Sequence, residues 1–245
     1  MQMTVILIHG ATLNGASWAP VRRHLEGAGL RVLTPDLPGH GKRRSERYSL
    51  PEAVRTIAEL AATLDGGPLI LAGDSLGGYT AQAAAAHLPR EQLKGLVLGG
   101  SSHEFRGWPT IPYRAKALMF RATFALKDER KVIEEKVPGL LREYGLEERD
   151  VAATMAGGFS LSVFPQAVAA LCGVDFRAKL AAIPQPVMFI NGDLDTKHVR
   201  GEAAYVAAAR DATVHRFAGC DHGVSLRRSG EYAELVRQFA QRVAA

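Results

Sequence analysis

Short apolar runs recur along the chain at intervals that suit strands and helices in alternation. Thr4-Val5-Ile6-Leu7-Ile8, Leu30-Arg31-Val32-Leu33-Thr34, Leu69-Ile70-Leu71-Ala72, Gly95-Leu96-Val97-Leu98, Pro186-Val187-Met188-Phe189-Ile190 and Thr213-Val214-His215-Arg216-Phe217 are each of strand length. Their hydrophobicity is continuous rather than alternating, which predicts strands buried on both faces, and so parallel strands under helices.

The stretches between them carry helix signals. Ser49-Leu50-Pro51-Glu52 reads as a capping box with proline in the first turn. Val54, Ile57, Ala58, Ala61 and Leu64 then share one face, and Gly66-Gly67 stops the helix. Residues 76–88 are alanine-rich and almost wholly apolar or small, as a central, tightly packed helix requires. The last helix carries Tyr232, Leu235, Val236, Phe239 and Val243 on one stripe. This alternation predicts an α/β fold: an open, mostly parallel sheet with right-handed crossovers and helices on both faces.

Residues 101–175 break the rhythm. They hold no convincing strand, only helical patterns (115–127, 130–143, 148–155 and 165–172) interrupted by Gly139, Gly157-Gly158 and several prolines. At about 150 residues per domain, 245 residues make roughly one and a half domains. The division is then a core built from residues 1–100 and 176–245, with a helical cap at 101–175. The cap is rich in large apolar groups. Trp108, Phe120, Phe124, Phe159 and Phe164 are its candidate substrate-binding residues; the alternative is that they only pack the cap onto the sheet.

Composition removes other classes. The chain is 47% hydrophobic and 22% charged, ordinary for a globular protein. The net charge of +5 is small for this length and spread along the chain, so nucleic-acid binding is not expected. The basic run Lys42-Arg43-Arg44-Ser45-Glu46-Arg47 reads as a solvated loop, or as a rim that favours an anionic substrate. No apolar window is long enough to span a membrane, and the first eight residues lack a leader pattern. Cys172 and Cys220 show neither metal-ligand spacing nor a disulfide framework; they read as reduced thiols and predict a cytoplasmic protein. Oligomeric state leaves no signature in the pattern.

The sharpest chemical signal is Gly73-Asp74-Ser75-Leu76-Gly77-Gly78, between a strand and a helix. Glycines two before and two after a serine permit a sharp, strained turn that exposes the hydroxyl. The helix N-terminus behind it aims backbone N–H groups at developing negative charge. Serine needs a base. Of eight histidines, His222 lies in the glycine-flanked loop Gly219-Cys220-Asp221-His222-Gly223 after the last strand, on the same carboxyl edge of the sheet as Ser75. An acid must orient the imidazole. Asn191-Gly192-Asp193-Leu194-Asp195 follows the fifth strand and offers two, Asp193 and Asp195.

These stretches, with Ile8-His9-Gly10-Ala11, Pro35-Asp36-Leu37-Pro38-Gly39-His40-Gly41 and Asp175-Phe176-Arg177, resemble the α/β-hydrolase superfamily over nearly the whole chain. The likeness is greatest to small esterase-like and non-haem-haloperoxidase-like members with a helical cap. The resemblance implies a triad in the order Ser75, Asp195, His222, since the family's G-x-x-D pattern after the strand selects Asp195. It implies oxyanion-hole N–H groups from Ala11 and Leu76, and a structural role for His9. It implies no metal and no organic cofactor; the aromatics and methionine of the cap favour a small-molecule substrate that is partly apolar. Asp74 departs from the pattern, since many relatives carry histidine there; it reads as an anchor of the turn. A serine nucleophile argues against dehalogenase and epoxide-hydrolase chemistry. Leu76 and Gly223 replace the tryptophan and lysine of two other branches. A carboxylic ester hydrolase is thus expected, with C–C hydrolysis, lactone hydrolysis, perhydrolysis or a hydrolase-fold receptor as alternatives.

Overall fold

The computed structural model describes residues 1–244. In chain order its elements are β1 (Thr4–Ile8), α1 (Ala19–Gly27), β2 (Arg31–Leu33), α2 (Leu50–Ala62), β3 (Leu69–Asp74), α3 (Leu76–Ala84) and β4 (Leu93–Gly99). An all-helical insert follows, α4 (Ile111–Leu126), α5 (Glu129–Glu143), α6 (Glu148–Gly157), α7 (Phe164–Leu171) and α8 (Phe176–Ala181). The chain then returns through β5 (Val187–Gly192), α9 (Thr196–Ala208), β6 (Ala212–Phe217), α10 (Val224–Arg227) and α11 (Ser229–Ala244).

The six strands form one sheet in the order β2-β1-β3-β4-β5-β6, and every neighbouring pair is parallel. All six expected strands are present. The chain steps from β1 outward to β2, then returns to place β3 on the other side of β1. Helices therefore leave β1 and β3 on opposite faces, which opens a crevice at the carboxyl ends of these two strands.

Side-chain alternation divides the core in two. Ile6, Ile8, Leu69, Leu71, Leu96, Leu98 and Phe189 pack toward α2, α3 and α8. Val5, Leu7, Ile70, Ala72, Val97, Met188 and Ile190 pack toward α1 and α11, against Val21, Leu25, Tyr232, Val236 and Phe239. With both faces covered, the central strands are buried throughout, which is why their sequences read as unbroken apolar runs. Edge strand β6 departs from this: His215 and Arg216 are exposed and its ends are only half-buried.

Ser49 caps α2 as expected, its hydroxyl accepting from the Glu52 N–H at 3.4 Å. Glu52 does not reach back; it pairs with Arg55, so only half of the capping box forms. In the insert, α5 runs unbroken through Pro138 and Gly139, where the sequence suggested an interruption. Val137 and Leu141 bury themselves against Leu146 and Val151 in a small separate cluster that holds this segment helical.

Polar ties fasten the insert to the core. Arg23 donates to both oxygens of Asp150 at 2.6 and 2.7 Å. The Asn14 amide donates to the carbonyls of Thr154 at 2.8 Å and Gly158 at 3.0 Å. The Ser160 N–H reaches the Thr12 carbonyl at 3.2 Å. No helix among the described residues is long and apolar enough to cross a membrane.

Candidate active site

Ser75 stands between β3 and α3 with φ +53° and ψ −117°, a strained backbone for any residue but glycine. Two glycines make that turn possible. A Cβ on Gly73 would overlap the backbone of Gly77, and one on Gly77 would overlap the carbonyl of Ile8 in β1. The Ser75 N–H donates to the Gly99 carbonyl at 2.7 Å, which ties the turn to β4.

The loop after β1 closes on this turn. A Cβ on Gly10 would sit 3.5 Å from that of Ser75. The loop is held by His9, buried, whose Nδ1 donates to the Gly10 carbonyl at 2.9 Å while Nε2 accepts from the Leu37 N–H at 3.1 Å. Burial lowers the pKa of His9 to about 4, so the ring is neutral and can make both bonds at once. His40 packs on it with ring centroids 4.8 Å apart, and burial, reinforced by His9, lowers its pKa to about 3. Thr12, next in the loop, takes φ +72°. Ala11, Ser75 and Leu76 line a common cavity of about 40 Å³.

β5 and β6 deliver the other groups to the same edge. Asp195 Oδ2 accepts from His222 Nδ1 at 2.6 Å. Asp193 points elsewhere, accepting from the Gly219 N–H at 2.8 Å and so bracing the loop that carries His222. Gly100, at φ +48°, lies flat under the His222 ring; a Cβ there would come within 2.7 Å of it. The Gly100 N–H donates to Asn191 Oδ1 at 3.1 Å, and the Asn191 amide donates to Glu202 at 2.6 Å. Burial opposes ionisation of Asp195, but the N–H donors of His198 and His222 outweigh it and hold the carboxyl well below the usual range. Asp74 accepts from the Tyr232 hydroxyl at 3.1 Å, and burial raises its pKa against the hydrogen bonds of Ser225 and Tyr232. It thereby anchors the serine turn to α11.

His198 was absent from the sequence-based candidates. Its Nδ1 donates to the same Asp195 oxygen at 2.8 Å, and its ring stacks on His222 with centroids 4.7 Å apart. The signal was Asp195-x-x-His198 at a helix start, a spacing that puts both side chains on one face. Ligand atoms of Asp195, His198 and His222 lie within 4.8 Å of one another, a donor set that zinc also accepts, yet both Nδ1 protons are already directed at the carboxylate.

The five aromatic candidates of the insert separate. Phe164 lines the cavity beside Ser75, together with Tyr79, Phe105, Tyr113, Val168 and Leu171. Phe120 packs behind Phe164 at 4.8 Å and does not line that cavity. Phe124 lines a wider, separate groove between α4 and α7, about 870 Å³, that Ser75 does not line. Phe159 packs beside the α5–α6 cluster. Trp108 is 84% exposed and touches neither space. Hydrophobicity alone does not say which face of a cap helix turns inward; Phe105, Tyr79 and Tyr113, outside the five candidates, line the cavity beside Ser75.

The model of the alpha/beta hydrolase family matches residues 5–235. The chain belongs to that family. Among curated hydrolases it is 28% identical to a pimeloyl-[acyl-carrier protein] methyl ester esterase of Xanthomonas oryzae pv. oryzae (strain MAFF 311018), over 98% of this chain and 95% of that protein. It is 25% identical to a 2-hydroxy-6-oxononadienedioate/2-hydroxy-6-oxononatrienedioate hydrolase of Burkholderia vietnamiensis, over 97% of this chain and 87% of the other. The same hydrolase fold appears in a bromoperoxidase from Bacillus anthracis, with TM-score 0.76, 22% identity and coverage of 98% and 92% of the two chains. An esterase from Exiguobacterium antarcticum superposes equally well, with TM-score 0.76, 18% identity and the same coverage.

Proposed function

We propose that the protein is a serine hydrolase that cleaves a carboxylic ester through an acyl-enzyme. The observation that carries this reading is the 2.6 Å contact of His222 with Asp195, on the sheet edge where Ser75 is held at φ +53°. Ser75 attacks the ester carbonyl and His222 Nε2 takes its proton. Asp195 keeps the proton on Nδ1 and stabilises the imidazolium. The N–H groups of Ala11 and Leu76 receive the developing alkoxide. His222 returns the proton to the leaving alcohol, then activates water to release the acid. No step calls for a metal or an organic cofactor.

The cavity beside Ser75 is small and mostly apolar, about 40 Å³, which suits a short acyl arm. Esterase relatives that act on methyl esters support a small alcohol. Turnover of short-chain aryl and methyl esters by the wild type and by Ser75→Ala tests the reading. Expected is a loss of about 10⁴-fold or more in kcat on substitution, with the fold intact. Labelling of the wild type, but not of Ser75→Ala, by a fluorophosphonate is the second expected result. An inert, unlabelled wild type sinks the proposal.

A further inference from the structure

The helix after Asp195 supplies a side chain that the proposed reaction does not employ. α9 opens at Thr196, so His198 stands in its first turn, with Nδ1 on the same carboxylate oxygen that takes His222. Its side chain is 4% exposed, and its backbone carbonyl accepts from the Ser102 hydroxyl at 2.8 Å. Burial lowers its pKa to about 4, against the raising effect of Asp195, so the ring holds a single proton near neutral pH. The ionised carboxylate fixes that proton on Nδ1. Nε2 is then a bare acceptor.

That nitrogen has no hydrogen-bond partner among the described residues, although the ring lines the cavity beside Ser75. Tyr113 lines the same cavity, and its hydroxyl also has no partner among the described residues. The Tyr113 ring is held by His103 and Phe105, with centroids 4.8 and 5.0 Å away. The Tyr79 hydroxyl, in contrast, is used: it accepts from the His103 N–H at 2.7 Å. The rest of the wall is largely apolar. An acyl cavity of this kind offers one acceptor and one donor, and a ligand that pairs neither leaves both desolvated at a cost.

We infer that the acyl cavity selects substrates with a hydroxyl close to the ester carbonyl, the hydroxyl donating to His198 Nε2 and accepting from Tyr113. This rests on the ester-hydrolase reading above. A hydroxyl is the simplest group that both donates and accepts. The stacking of His198 on the base puts the polar end of the cavity near the reacting carbon, which points to the second or third carbon of the acyl chain. His198 is then a specificity residue as well as a brace for Asp195. The two roles separate experimentally, because loss of the brace slows every ester alike.

The test compares 4-nitrophenyl esters of butyrate, 2-hydroxybutyrate and 3-hydroxybutyrate. For each enzyme, kcat/KM on the hydroxy esters is divided by that on butyrate, and ratios are compared between variants, so intrinsic ester reactivity and general loss of activity cancel. His198→Phe is expected to lower the ratio for at least one hydroxy ester about tenfold, and Tyr113→Phe several-fold. His198→Gln, which restores a carbonyl acceptor, should recover part of it. Equal losses on all three esters, with ratios unchanged in His198→Phe and Tyr113→Phe, overturn the inference and leave the ester-hydrolase reading standing. If His198→Phe does not fold, Tyr113→Phe and His198→Gln decide by the same ratios. A wild type that hydrolyses none of the esters and resists the fluorophosphonate removes the reading and the inference together.

Discussion

The crevice between β1 and β3 and the helical insert differ in what their sequences are free to do. In the crevice, backbone packs on backbone: Gly73 and Gly77 admit no side chain, and Gly100 admits none beneath His222. In the insert, Gly139 faces open space within a helix, and Ile111, Leu118, Met119 and Leu126 lie on the surface. The crevice is specified by sterics that tolerate one residue type. Along its helices the insert is specified mostly by a general apolar tendency, with Gly157, whose Cβ would meet the Asn14 side chain, the exception where the insert joins the core. In the proposed function, the reacting groups sit on the first kind of structure and the walls that meet the substrate draw on the second.

The sharpest way to break this contrast is to give each region the same methyl group. Gly77→Ala is expected to cost more than about 3 kcal/mol or to abolish folding, because the new Cβ meets a carbonyl of β1 that cannot yield. Gly139→Ala, exposed within α5, should instead stabilise by roughly 0.5–1 kcal/mol, since glycine is the poorer helix former. Chemical denaturation of both variants measures the difference. A well-folded Gly77→Ala would show that the turn relaxes more easily than the geometry implies.

Acid should act on the crevice more than on the insert. His9 and His40 are buried at the base of the crevice, with folded pKa values of about 4 and about 3 against 6.5 when unfolded. The unfolded chain therefore binds the extra protons first. Their contribution to stability is fully present above about pH 6.5 and is lost as the pH falls toward 4 and then 3. The slope should approach about 1.4 kcal/mol per pH unit for each histidine. Urea midpoints between pH 7.5 and 5 should fall steeply in the wild type and less steeply in His9→Asn. An unchanged slope in that variant would place the acid sensitivity elsewhere.

The ties between the regions should have intermediate effects. Arg23→Ala strands the buried carboxylate of Asp150 and is expected to cost about 1–3 kcal/mol, whereas Arg22→Ala, which breaks an exposed pair with Glu26, should cost under about 0.5 kcal/mol. Equal effects would mean that α6 leans on α1 less than the bidentate contact suggests.

The contrast also explains what the sequence discloses. The six strands are legible because a sheet covered on both faces demands unbroken apolar runs. Ser75 is legible because only glycines fit around it. Ser75, an acid after the fifth strand and His222 follow in order once strands and loops are placed; the choice of Asp195 as that acid rests on the family resemblance. Asp193 and Asp195 are not separable by residue type; their directions are set by the turn after β5, which sends one to Gly219 and the other to His222. His198 is legible only through Asp195-x-x-His198 at a helix start, which puts both side chains on one face; its helix has no strong apolar stripe to say whether that face meets the core or solvent. The cap aromatics were identified as a set, but which of them turns inward depends on how α4 and α7 pack.

Trp108 gives the smallest expected effect and the cleanest test of the insert. Tryptophan is the largest side chain, and truncating a buried one costs about 3–5 kcal/mol. Here the ring is 84% exposed and lies outside the cavity beside Ser75. Trp108→Ala should therefore change stability by no more than about 0.5 kcal/mol and leave kcat and KM for short aryl esters unchanged. Phe164→Ala is the matched control, because its ring forms part of the cavity wall and stacks on Phe120. It should raise KM or broaden acyl specificity where Trp108→Ala does neither. A Trp108 variant that loses activity as Phe164→Ala does would mean that the first turn of the insert closes over the substrate during turnover, and the insert would then be as constrained as the crevice.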